Sequence, residues 1–287
     1  MWEIFLSLAV LAAIILLWVS LYDTHHFTVT HKKFSDDRIK KACRFVVLSD
    51  LHGQQYGREN AILLQAIREQ NPDGIFIAGD MFTAHKGFKT KIVEKFLADL
   101  KEICPVYYAN GNHEHKIGLY GEKRYGQLAG ECERILNESG VCHLVNGRVS
   151  LPEYGVDVYG LDIEHSYYKR GEKADMPGEY VSVLLGKPEG DTYNVLLAHN
   201  PDYFKNYAEW GADLVLSGHV HGGIMRLPFL GGVIAPSLKL FPKYDAGVFS
   251  EGNSVMVLGR GIGTHSPNVR FFNPGELIVL EFTGKNG

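Results

Sequence analysis

Seven side chains in this 287-residue chain have the chemistry of metal ligands: Asp50, His52, Asp80, Asn112, His199, His219 and His221. They fall in five short segments, Ser49-Asp50-Leu51-His52, Gly79-Asp80, Asn110-Gly111-Asn112-His113-Glu114, His199-Asn200 and Ser217-Gly218-His219-Val220-His221. Asp and Asn are common turn residues and a lone His is usually surface or core, so no segment says much alone. Histidine has no strong turn preference, and its recurrence at these places asks for a chemical reason. Carboxylate oxygen, amide oxygen and neutral imidazole together suit divalent Mn, Fe, Co or Zn, with Mn first among them, whereas an all-oxygen set would suit Mg or Ca.

Asp50 and His52 stand two apart, as do His219 and His221, and side chains so spaced point the same way on extended backbone. Glycines before Asp80, Asn112 and His219 let the chain turn sharply where an ion must come close. Seven ligands exceed the needs of one ion. The expected arrangement is two ions about 3.5 to 4 Å apart, bridged by one carboxylate and a water-derived hydroxide. Such a pair suits hydrolysis of phosphate ester or pyrophosphate bonds, with a nearby His to protonate the leaving oxygen.

The elements that must position these residues are legible from periodicity. From Arg44 onward, apolar runs at Phe45–Leu48, Ile75–Ala78 and Val106–Ala109 alternate with helical patterns near Glu59–Glu69 and Ile92–Lys101. A further helix is expected near Lys123–Asn137, then short strands from Leu144 to Gly160 separated by Asn146-Gly147 and Tyr154-Gly155 turns. Strands are expected again at Tyr193–Ala198, Ala212–Leu216, Ser254–Leu258 and Glu276–Phe282, with a helix after Pro201. Every ligand segment follows a predicted strand, where α/β folds collect functional groups.

The N-terminus has a different character. Ile4 to Tyr22 carries no charged residue, with Trp2 and Trp18 near its ends, and is long enough to cross a bilayer as a helix. A cleaved signal would be shorter and would open on basic residues, whereas this chain opens with Glu3. The expected organisation is an anchor over 1–22, a basic linker over 23–43 and one catalytic domain over 44–287. Lys32, Lys33, Arg38, Lys40 and Lys41 follow the apolar run and no Lys or Arg precedes it, which favours a single-pass membrane protein with its domain facing the cytoplasm; the extracytoplasmic side stays open. The basic stretch would rest on anionic headgroups or act as a solvated linker. Cys43, Cys104, Cys132 and Cys142 lack metal-site spacing, and a Cys132 to Cys142 bridge is left open. A formal charge of −4 gives no support to capture of nucleic acid.

In order and spacing, Asp50-Leu51-His52, Gly79-Asp80, Gly111-Asn112-His113-Glu114, Ala198-His199 and Gly218-His219-Val220-His221 resemble the calcineurin-like metallophosphoesterase family. The resemblance implies an α/β fold, a four-layer α/β/β/α sandwich. It implies one metal held by Asp50, His52, Asp80 and His221 and the other by Asp80, Asn112, His199 and His219, with Asp80 as the bridge. His113 would be the catalytic acid or a phosphate contact. Within the family, the segments His221–Phe229, Gly261–His265 and Asn268–Phe272 resemble a membrane-anchored bacterial branch related to UDP-2,3-diacylglucosamine hydrolases. Arg226, His265 and Arg270 become candidate substrate contacts by position in those segments. Pro274-Gly275-Glu276 departs from the Pro-Glu expected of that branch. Met81-Phe82-Thr83 after Asp80, and Ala109-Asn110 before Gly111, do not resemble the protein Ser/Thr phosphatases.

The expected partners are the lipid bilayer and a phosphorylated lipid or nucleotide-linked substrate. The apolar segment Ile224 to Pro236 would lie against acyl chains or return to the core. A broad-specificity phosphomonoesterase or nuclease, and a non-catalytic metal-binding scaffold, are the alternatives.

Overall fold

The structure is a computed structural model that describes residues 1–169, 174–227, 229–234, 240–264 and 267–284. It opens with helix α1 (Trp2–His25) and continues through β1 (Phe27–Ser35), β2 (Cys43–Leu48), α2 (Ala61–Glu69), β3 (Gly74–Ala78), α3 (Thr90–Lys101), β4 (Val106–Ala109), α4 (Asn112–Tyr125) and α5 (Gln127–Glu138). Then follow β5 (Cys142–Leu144), β6 (Gly147–Leu151), β7 (Val156–Leu161), α6 (Tyr180–Leu185), β8 (Tyr193–Ala198), α7 (Phe204–Trp210), β9 (Leu214–Ser217), β10 (Met225–Leu227), β11 (Gly231–Ile234), β12 (Gly247–Glu251), β13 (Ser254–Leu258) and β14 (Gly275–Thr283).

Strands β2, β3 and β4 are continuous apolar runs because they are covered on both faces. They sit in a six-stranded sheet of order β1-β14-β2-β3-β4-β5, and a second six-stranded sheet runs β12-β13-β9-β8-β7-β6. Three apolar clusters define the layers. Val93, Phe96, Leu97 and Leu100, at helical spacing on α3, pack with α2, α4 and α5 residues on the outer face of the first sheet. Phe45, Phe76, Val158, Val195 and Leu216 fill the space between the sheets. Val181, Phe204, Tyr207 and Trp210 from α6 and α7 cover the second sheet. Helix, sheet, sheet and helix are the four layers expected. Because β2, β3 and β4 run parallel, as do β7, β8 and β9, their C-terminal ends meet along one rim.

Residues 23–43 are more than the expected linker. They carry the end of α1 and β1, which pairs in parallel with β14 from Phe27 against Gly275 to Ser35 against Thr283. A polar edge strand with one covered side has little apolar signal, which hid it from periodicity. The basic residues are accordingly spread along the domain: Lys33 pairs with Glu281, and Arg38 with Asp36 and Asp213. All four cysteines are free thiols, so Cys132 and Cys142 do not pair. Helix α1 is largely exposed and is long and apolar enough to cross a membrane.

The inter-sheet core rests on Phe45, 1% exposed, stacked on Phe76 with centroids 4.4 Å apart. Phe45→Ala should lower unfolding stability by about 3–5 kcal/mol in urea titration of the detergent-solubilised chain; a loss under about 1 kcal/mol would show that this layer is not a packed core.

Candidate metal centre

All five ligand segments lie on the rim where the parallel strands end, and backbone hydrogen bonds carry the sheets on into them. Asp50 N–H donates to Gly79 O at 2.9 Å and His52 N–H to Asp80 O at 3.1 Å. Gly218 N–H donates to His199 O at 3.1 Å, tying the ends of β8 and β9 together.

The expected extended backbone at Asp50–His52 and His219–His221 is absent. Asp50, His52, Asp80, His219 and His221 all have positive φ, at 54°, 49°, 57°, 73° and 54°. Non-glycine residues avoid this region, at a cost of order 1 kcal/mol or more each. Gly111 and Gly218 matter for closeness rather than for dihedral freedom: a Cβ on Gly111 would strike the Asp80 carboxylate, and one on Gly218 the Asp50 carboxylate.

Three overlapping groups result, each with its candidate ligand atoms within 4.8 Å of one another: Asp50, His52 and His221; His52, Asp80 and His113; Asp80, His199 and His219. The first and third fall on opposite sides of the division that the resemblance implies. His221 Nε2 lies 3.3 Å from Asp50 Oδ1 and 3.3 Å from His52 Nε2, and His199 Nε2 lies 3.0 Å from Asp80 Oδ2. Asp50 Oδ2 and Asn112 Oδ1 are buried without a hydrogen-bond partner among the described residues. Buried acceptors are seldom left so, and divalent cations at these positions would satisfy both.

Hydrogen-bond partners assign the imidazole protons. A carbonyl can only accept, so His199 Nδ1 donates to Ala78 O at 2.6 Å and His221 Nδ1 to Gly263 O at 3.3 Å. Each then turns its Nε2 inward, the nitrogen that a metal would take. His52 Nδ1 is oriented by the Thr83 hydroxyl at 3.1 Å. His113 is the reverse. The Ala84 N–H donates to its Nδ1 at 2.8 Å, so the neutral ring carries its proton on Nε2, 4.0 Å from Asp80 Oδ2. That is the tautomer of a proton donor.

His113 and Asn112 lie in the first turn of α4 instead of a loop. Glu114, the third residue of that turn, reaches back to the Gly111 N–H at 2.9 Å, as in a capping box. Its carboxylate also accepts from the Asp80 and Phe82 N–H groups at 2.9 and 3.0 Å and from the Tyr108 hydroxyl at 2.8 Å. Burial, and then the Asp80 charge, push it up to about 7. Glu114 thus fixes the Asp80 loop to the Asn112 loop, a role sequence reading did not assign, although Glu three residues after a glycine carried the signal. Asn273 was missed with no such signal: its amide donates to His221 O and Gly223 O at 2.8 and 2.6 Å.

Arg270 does not fit a substrate contact. It is 2% exposed and its guanidinium donates to the carbonyls of Arg260, Gly261, Gly263 and Asn273. It braces the loop whose Ile262 and Gly263 N–H groups bond Ser49 O and Asp50 O. Arg226 is half-buried on β10 and paired with Asp245 at 3.0 Å. His265 lies outside the described residues.

Residues 43–223 match the calcineurin-like phosphoesterase family model. The chain belongs to this family. Metal-dependent phosphoester hydrolysis is the chemistry of that family, and its relatives carry matching names. An uncharacterized metallophosphoesterase of Campylobacter jejuni is 28% identical over 251 residues, which cover 86% of this chain and 61% of the relative. The chain therefore spans about three-fifths of that relative's length. Metallophosphoesterase YkuE of Bacillus subtilis is 25% identical, covering 85% of this chain and 80% of its own, and phosphodiesterase YaeI of Escherichia coli 27% identical, covering 77% and 75%.

Electrostatics give the centre a pH dependence. Burial opposes charge on His199, but Asp80 and Asp50 prevail and raise its pKa to about 10. Burial, and then His199, lower His219 to about 3. At neutral pH the metal-free protein therefore holds a proton on His199 that a cation at Nε2 must displace. Metal uptake at pH 7, followed by calorimetry in buffers of different ionisation enthalpy, should release about one proton or more per chain, and affinity should fall as pH falls. Uptake without proton release would contradict this assignment.

Proposed function

We propose that this chain hydrolyses phosphodiester or pyrophosphate bonds in a lipid- or nucleotide-linked substrate, with two divalent ions, Mn first among the candidates. Asp50, His52, Asp80 and His221 would hold one, and Asp80, Asn112, His199 and His219 the other. Bound there, the ions supply an activated water and neutralise phosphate oxygens. Asp80, with its pKa held well below the usual range by His199 and His113 against the effect of burial, is a carboxylate ready to bridge.

The observation that carries the reading is the contrast between His113 and its neighbours. His199 and His221 donate from Nδ1 to carbonyls and so offer Nε2 to a metal, whereas His113 accepts at Nδ1 and its neutral ring turns an N–H inward. A donor beside the ligands, but set apart from them by tautomer, can deliver a proton to the leaving oxygen.

The lipid part rests on α1, read as a single membrane anchor with the domain on the cytoplasmic side. The likeness of His221–Phe229, Gly261–His265 and Asn268–Phe272 to UDP-2,3-diacylglucosamine hydrolases favours a UDP-diacylglucosamine-like substrate. Arg226 lies in the first of those segments, next to the His221 loop through its bond to Gly222 O at 3.1 Å, and is the remaining described candidate for a substrate contact outside the metal site.

With Mn, the detergent-solubilised chain should turn over bis-p-nitrophenyl phosphate faster than p-nitrophenyl phosphate or single-stranded DNA. Faster monoester or DNA turnover would favour the broad phosphatase or nuclease instead, and metal binding without any turnover would make the chain a scaffold. His113→Asn should cost about 10²–10⁴ in kcat with an alkyl leaving group and much less with p-nitrophenolate, which needs no proton. Equal losses would remove His113 as the acid.

A further inference from the structure

The C-terminal end of α1 is fastened to the loops that carry His52 and His221. Asp23, 6% exposed, accepts the Asn273 backbone N–H at 2.9 Å, and the Asn273 side chain in turn donates to His221 O and Gly223 O. Gln54, two residues beyond His52, donates to Thr24 O at 3.2 Å, and Gly275 N–H to His26 O at 3.1 Å. Gly222 is required by this junction, since a Cβ there would meet the Asn273 side chain at 2.7 Å. One buried asparagine thus joins the apolar helix to the metal-site loop.

Among the described residues beside this junction, several large apolar side chains are exposed. The β10–β11 hairpin continues directly from the His221 loop and bonds the Phe271 backbone through Arg226 N–H at 3.0 Å and Ile224 O at 2.9 Å. Phe229, at 106%, and Leu230, at 62%, are exposed at its turn, and Phe241 and Phe272 stand at 59% and 49%. Phe229, Phe241 and Phe272 also have positive φ, at 67°, 48° and 56°, which is rare for bulky residues and directs these rings outward at a cost. The single guanidinium on the hairpin, that of Arg226, is matched by Asp245, whose Oδ2 also accepts the Gly232 N–H at 2.6 Å. No unpaired charge on β10 or β11 holds this surface in water.

We infer that the β10–β11 hairpin and the Phe272 turn form, with the last turns of α1, one bilayer-contacting face, and that this face holds the His52–His221 side of the centre at the membrane surface. The occupant is the lipid bilayer, because the patch is continuous with an exposed apolar helix of spanning length whose exit point is fixed by Asp23 and Thr24. A loop that immersed its aromatic tip beside the centre would let a phosphorylated lipid reach it from within the leaflet. The inference rests on the reading of α1 as the anchor, and the test separates the two.

The full chain would be reconstituted in vesicles of phosphatidylcholine and phosphatidylglycerol with a benzophenone amino acid in place of Phe229 or, as control, of Val183, which is 75% exposed on α6. Illumination should give lipid adducts at 229, at least about tenfold more than at 183, by mass spectrometry. Retention of the chain through alkaline carbonate with no lipid adduct at 229, with equal adducts at both positions, or with a crosslink from 229 to a second chain would overturn the face alone. Release of the chain by carbonate would overturn the anchor, and the face with it.

Discussion

Two carboxylates with almost no access to water, Asp50 at 0% and Asp80 at 2% exposure, face inward-turned imidazole nitrogens across gaps of 3.0 to 4.0 Å. Burying one ion is costly and burying two like charges side by side more so, unless positive charge is supplied between them. The protein supplies some through His199, whose raised pKa answers Asp80 and Asp50. The remaining orphaned acceptors, Asp50 Oδ2 and Asn112 Oδ1, have the chemistry to take divalent cations. The surrounding fold holds these acceptors together against their mutual repulsion.

It does so by spending backbone ease at the rim and recovering it in the layers beneath. Five of the seven candidate ligands occupy a conformation that their residue types avoid. They are pinned by hydrogen bonds that continue the two sheets and by two buried braces: Glu114, which joins the Asp80 and Asn112 loops, and Arg270, which binds the carbonyls of the loop over Asp50. Both explain why a centre made of loops can be rigid: loop ends are coupled to one another rather than only to their own strands.

Much of this was legible in the sequence, and the limits are physical. Strands β2, β3 and β4 announce themselves because burial on both faces demands unbroken apolar runs. The candidate ligand set was legible because histidine after strand after strand has no structural excuse. The extended geometry expected at Asp50–His52 failed because tertiary contacts, not local preference, impose positive φ there. Strand β1 was invisible because an edge strand needs little apolar content. Arg270 was a candidate contact by its position in a resembling segment, but a fully buried guanidinium can equally serve backbone carbonyls, and no local pattern distinguishes the two.

The central claim is that the buried carboxylates and imidazoles form a two-ion site bridged by Asp80. Metal content of the purified chain after Mn loading and removal of excess, measured by mass spectrometry beside an Asp80→Asn variant shown to be folded by circular dichroism, tests it most directly. The account predicts two ions per chain in the parent and one or none in the variant. Two ions in both, or none in the parent, would contradict it.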